Sequence, residues 1–114
     1  MGSSPTSGTQ VIHTLIGMGQ RILHRRLSSA SARLKELQKE LLVVKDQMSH
    51  LVDDAEDLSL RALVSETPLA DQEYREAKRH ADTIVKHHDQ LVLEIGEVQA
   101  KIDDLLDRMK ESTR

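Results

Sequence analysis

Between residues 27 and 62 the apolar side chains recur at alternating intervals of three and four. The series is Leu27, Ala30, Leu34, Leu37, Leu41, Val44, Met48, Leu51, Ala55, Leu58, Ala62. A second series runs Ala70, Tyr74, Ala77, Ala81, Ile84, His88, Leu91, Ile95, Val98, Ile102, Leu105, Met109. This spacing places one apolar seam along a helix and is the a/d pattern of a coiled coil. Between the two series lies Ser65-Glu66-Thr67-Pro68. Proline lacks an amide hydrogen and disfavours helical backbone at the residue before it, so the first helix stops here. Pro68 suits the first position of a new helix, with Thr67 as its N-cap and Asp71 and Glu73 near the positive helix start.

So short a break predicts an antiparallel return. The two seams face each other in phase when partner numbers sum to 132. Ala62 then meets Ala70, Leu58 meets Tyr74, Val44 meets His88, Leu41 meets Leu91, Leu34 meets Val98 and Leu27 meets Leu105. The fold class this predicts is all-α: a long antiparallel helical hairpin with an N-terminal amphipathic helical extension. Each arm has about 40 residues and is roughly 60 Å long at 1.5 Å per residue. The organisation expected is a flexible tail over 1–10, a helical segment over 11–26, arms over 27–64 and 69–111 around a turn at 65–68, and a tail over 112–114. Alanines cluster near the turn, so the arms should approach closely there, with Tyr74 filling space against Leu58. The seam residues expected to hold the hairpin are Leu34, Leu37, Leu41, Val44, Leu51, Leu58, Tyr74, Ile84, His88, Leu91, Ile95, Val98 and Ile102.

Composition supports this and removes alternatives. The 114 residues include no Cys, Trp or Phe, one Tyr, 5 Gly and 2 Pro, with 31% charged residues. A disulfide framework and a cysteine–zinc site are excluded. A β-sandwich is disfavoured, and base stacking on aromatic rings has nothing to work with. No apolar run is long enough for a membrane span, and residues 1–10 lack the basic and apolar regions of an export signal, so a cytoplasmic protein is expected.

The flanks of the seam carry more information. Arg61 opposite Glu73 and Asp54 opposite His80 are favourable, whereas Glu40 opposite Glu94, Arg33 opposite Lys101 and Arg26 opposite Arg108 are like-charge pairs. On the other flank Val52, Val85, Val92 and Leu106 widen the apolar stripe beyond what one partner helix covers. Residues 11–22 have no counterpart in the pairing scheme, yet Val11, Ile12, Leu15, Ile16, Met18, Ile22 and Leu23 form an apolar arc. Gly17, Gly19 or the serines at 28, 29 and 31 are candidate bends. The face formed by Val11, Ile12, Leu15, Ile16, Ile22, Leu23, Val85, Val92 and Leu106 is expected to meet a further partner. That partner is a second copy in a homodimer or larger oligomer, or a fold-back of the segment as a third helix. An anionic membrane approached through residues 11–26, or docking on another protein, is the remaining alternative.

Charge is polarised along the sequence. Residues 53–76 hold eight acids, among them Asp53, Asp54, Glu56, Asp57, Glu66, Asp71 and Glu73, against two arginines. Residues 11–40 hold six basic against two acidic side chains. Such a tip can orient on a basic partner. No catalytic constellation appears. His80 and His87 lie two turns apart, too far to share one ion. There is no phosphate loop and no nucleophile triad. No enzyme, cofactor, metal or direct nucleic-acid partner is expected. His88 is the polar residue of the seam, expected to fix register, with a pH-sensitive role as the sharper alternative.

Asp71-Gln72-Glu73-Tyr74-Arg75-Glu76-Ala77-Lys78 resembles the matching segment of the N-terminal coiled-coil hairpin of Gre transcript-cleavage factors. That family inserts an acidic tip into the secondary channel of RNA polymerase and helps bind a catalytic magnesium ion there. The resemblance implies an acidic tip that enters a basic channel. The positions corresponding to the family's two tip acids are Thr67 and Ala70, so it does not imply cleavage. Leu60-Arg61-Ala62-Leu63-Val64-Ser65-Glu66-Thr67-Pro68-Leu69 resembles short uncharacterised actinobacterial hairpin proteins, a likeness that implies no activity. The function expected is a non-enzymatic coiled-coil interaction or scaffolding module that self-associates, the alternatives being the channel-inserting regulator and the membrane-surface protein.

Overall fold

The backbone forms two α-helices, α1 over Ser4–Ser65 and α2 over Pro68–Thr113. A computed structural model describes the backbone of residues 4–113 and the side-chain surroundings of residues 19–111. No strand occurs among the described residues. α1 is continuous through the serines at 28, 29 and 31, so the candidate bend there is not used. The expectations at Val11, Ile12, Leu15 and Ile16 lie outside the described side chains.

The reversal between the helices is built from two caps. At the end of α1 the amide of Glu66 donates to the carbonyl of Ala62 at 3.2 Å, and Glu66 adopts φ 51°. This is the left-handed C-terminal cap that glycine usually supplies. A side chain in this conformation costs about 1–2 kcal/mol. At the start of α2 the Thr67 hydroxyl accepts the amide of Ala70 at 3.2 Å, and the Thr67 carbonyl accepts the amide of Asp71 at 3.2 Å. Thr67 is therefore the N-cap and Pro68 the first helical residue, where its missing amide hydrogen costs nothing.

The chain divides into two units, one formed by residues 36–96 and the other by the segments before and after it. In the unit spanning 36–96, Leu37, Val44, Ala55, Ala81 and Leu91 are buried. Leu41, Leu51, Leu58, Tyr74, Ile84, His88 and Ile95 are half-buried around them. In the other unit Ala30 and Leu105 are buried, and Leu23, Leu27, Leu34, Val98 and Ile102 are half-buried. Among the described residues every buried one belongs to one of the two seams. Three of these seven are alanines, and Leu37 is the one that is fully buried. A core this thin stabilises only modestly, because burial scales with apolar area removed from water.

The residues lining surface grooves reveal the register. Asp54 and His80, and Arg61 and Glu73, line one flank of the 36–96 unit. Val52 and Lys78 line the other. In the second unit Arg33 and Lys101 line a common groove. These are the flanking pairs that follow when seam partners sum to 132.

Candidate interaction surfaces

The two flanks of the 36–96 unit differ in chemistry. One flank carries Glu40, Gln47, Asp54 and Arg61 from α1 with Glu73, His80, His87 and Glu94 from α2. All but Gln47 are titratable. The opposite flank carries Gln38, Lys45, Val52 and Ser59 with Asp71, Lys78, Val85 and Val92. Only three of these are charged. Val52 and Val85 line an open groove of about 250 Å³ floored by Ala55, Tyr74 and Ala81. Val92 is 47% exposed, and Leu42, one helical step further out on this side, is 70% exposed. In the other unit Leu106 and Ile22 are also exposed. Polar solvent contact at so many large apolar side chains marks a surface suited to a partner.

On the titratable flank, Glu40 does not rest against Glu94 as a like-charge neighbour alone. Its carboxylate approaches His87 Nε2 at 3.3 Å, two turns along α2 from the expected partner, and both side chains are about half exposed. His80 shares a groove of about 490 Å³ with Asp54, Asp57, Glu73, Glu76 and Arg61.

The acids of the tip are all exposed but do not converge. Asp54, Asp57 and Glu73 line the groove just described. Glu66 and Asp71 border a different one beside Tyr74. Glu56 edges the apolar groove, and Asp53 lies on the outer face of α1. Among the described residues no three His, Cys, Asp or Glu side chains are placed to hold a metal ion. No described helix is long and apolar enough to cross a membrane.

The acids act on His50. Its Nδ1–H donates to the Asp46 carbonyl at 2.8 Å, and the Asp46 carboxylate lies 3.8 Å away. That hydrogen bond, followed by the negative charges of Asp46, Asp54 and Asp53, holds the imidazole above its ordinary pKa of 6.5. His88 sits at its seam position, with its side chain 19% exposed and Nδ1 3.1 Å from an Asp89 carboxylate oxygen. No buried side-chain nitrogen or oxygen among the described residues lacks a hydrogen-bond partner.

Sequence patterning missed one surface. Leu60, Leu63 and Val64 point outward on the last two turns of α1, Val64 being 86% exposed, and Leu69 is exposed at the start of α2. Leu42, Val43 and Leu93 are likewise exposed. The signal was available in the heptad positions, because all of these residues fall outside the seam.

No family model, curated protein or solved structure matches the chain.

Proposed function

We propose that this chain is a helical-hairpin assembly module that self-associates through the weakly charged flank bearing Leu42, Val52, Val85 and Val92. The observation that carries the reading is the asymmetry between flanks. One side of the seam is occupied almost wholly by titratable groups, while the other exposes large apolar side chains beside an apolar groove. Packing that flank on a second hairpin buries apolar area that a thin seam leaves in water and completes a multi-helix bundle. Among the described residues the grooves are open rather than enclosed, unlike the pKa-shifting pockets that acid–base catalysis uses, which supports a binding role.

The test is substitution on each side of the hairpin. Leu42→Asp with Val92→Asp should lower the mass of the assembly while helical content by circular dichroism stays unchanged. Leu93→Asp, on the outer face of α2, should leave the mass as it is. An assembly unaffected by the double variant contradicts the proposal.

A second reading, insertion of the acidic tip into a basic channel of a large machine such as RNA polymerase, is favoured by the exposure of Leu60, Leu63 and Val64 beside the acids. Neutralising Asp53, Asp54, Glu56 and Asp57 together should abolish that partner and leave flank-mediated assembly intact.

A further inference from the structure

Charge divides between the two units. Residues 36–96 carry fourteen acidic against seven basic side chains, and the remaining residues carry nine basic against five acidic. Within the second unit a groove of about 470 Å³ has an apolar floor of Ile22, Ala30 and Val98. Arg25, Arg26 and Lys101 stand on its rim, with Arg33 also lining it. Bringing these cations together raises the energy of the isolated molecule through like-charge repulsion. An occupant that brings negative charge removes that repulsion, and the floor requires that it also bring apolar side chains.

The sequence itself contains such an occupant. Leu60, Leu63 and Val64 form one exposed ridge, since residues three and four apart on a helix are neighbours. Asp53, Glu56 and Asp57 lie on the preceding turns of the same outward face, and all three are exposed. Tip and groove are thus complementary in both terms, apolar ridge to apolar floor and carboxylates to guanidinium and ammonium groups. The occupant taken here is this segment of a second copy.

Resting on the self-association reading above, we infer that the acidic apolar tip of one molecule docks in the basic groove of a second copy. A contact between two unlike patches is heterologous. Made twice around a two-fold axis it closes a dimer, and made once per molecule it continues into a ring or chain. Charge complementarity of this kind sets register and partner choice, and salt weakens it.

The experiment uses the full chain in two charge-reversed forms. One is Arg25→Glu/Arg26→Glu/Lys101→Glu, in which the groove is altered and the tip intact. The other is Asp53→Lys/Glu56→Lys/Asp57→Lys, in which the tip is altered and the groove intact. Each alone should associate at least tenfold more weakly than wild type by sedimentation velocity. Their one-to-one mixture should form a heterocomplex, because one native tip then meets one native groove. Circular dichroism checks folding, and the neutral set Arg25→Gln/Arg26→Gln/Lys101→Gln with Asp53→Asn/Glu56→Gln/Asp57→Asn replaces any reversed form that unfolds. A wild type that associates while both altered forms keep its mass overturns this contact and leaves flank-mediated assembly standing. Loss in the groove form alone assigns the groove to a different acidic occupant and also overturns it. A wild type that is monomeric at every concentration removes both proposals.

Discussion

Glu40 and His87 meet across the two helices at 3.3 Å, and when the imidazole is protonated the pair offsets the like-charge contact that the bare heptad register places at Glu40. The histidine lies two turns before Glu94 on α2. Glu40 is thereby tied to α2 by a group that carries positive charge when protonated. Because both side chains are about half exposed, solvent screens the pair. A double-mutant cycle with Glu40→Gln and His87→Gln, followed by urea denaturation at pH 5.5, should give a coupling of about 0.2–1 kcal/mol. A coupling indistinguishable from zero would remove the pair as a register device.

The seam should be unequal in its sensitivity. Leu37→Ala empties the one fully buried side-chain position and should cost about 2–5 kcal/mol. Leu93→Ala, on the exposed outer face, should change stability by no more than about 0.5 kcal/mol. Chemical denaturation of the two variants provides the comparison.

Glycine belongs where φ is positive and alanine where the backbone is helical. Glu66→Gly should stabilise the turn by about 1 kcal/mol, because it removes the left-handed strain at φ 51°. Gly96 lies within α2, and a methyl group added there meets no atom within 4 Å. Gly96→Ala should therefore also stabilise, by about 0.5–1 kcal/mol. Thermal melts that rise in both variants bear out these assignments, and a fall in the Glu66 variant contradicts the first.

His50 should titrate above 6.5 when followed by NMR. The Asp46 backbone carbonyl is the leading cause and survives Asp46→Asn, so that variant should lower the midpoint only partly. With the folded value raised, the protonated ring favours the folded state. That contribution is fully present below the unfolded-chain value and is lost as pH rises through the folded value. A midpoint at or below 6.5 in the wild type contradicts the geometry at Asp46.

The seam was readable from spacing because a helix repeats every 3.6 residues and the seam positions are the ones most removed from water. Among the described residues all seven buried ones, from Ala30 to Leu105, sit on it. The Thr67–Pro68 cap was readable for a local reason, the conformational restriction that proline imposes. The left-handed Glu66 was not, since its identity carries no preference for that backbone. The partner of Glu40 was hidden because a heptad diagram fixes Cβ positions, whereas the ends of two side chains meet beyond the residues directly opposed. The exposed ridge at Leu60, Leu63 and Val64 escaped notice because the dense acids around it drew the surface toward a purely electrostatic reading. On the partner face, Ile22, Val92 and Leu106 are exposed, whereas Leu23 and Val85 are half-buried and so already partly used within the hairpin.

The central claim is that this hairpin completes itself with a second copy. Light scattering coupled to size exclusion gives the molar mass directly, across loading concentrations spanning two decades. The expected mass is at least twice the 12.8 kDa of the chain, falling toward it on dilution. A mass of 12.8 kDa at every concentration would contradict it.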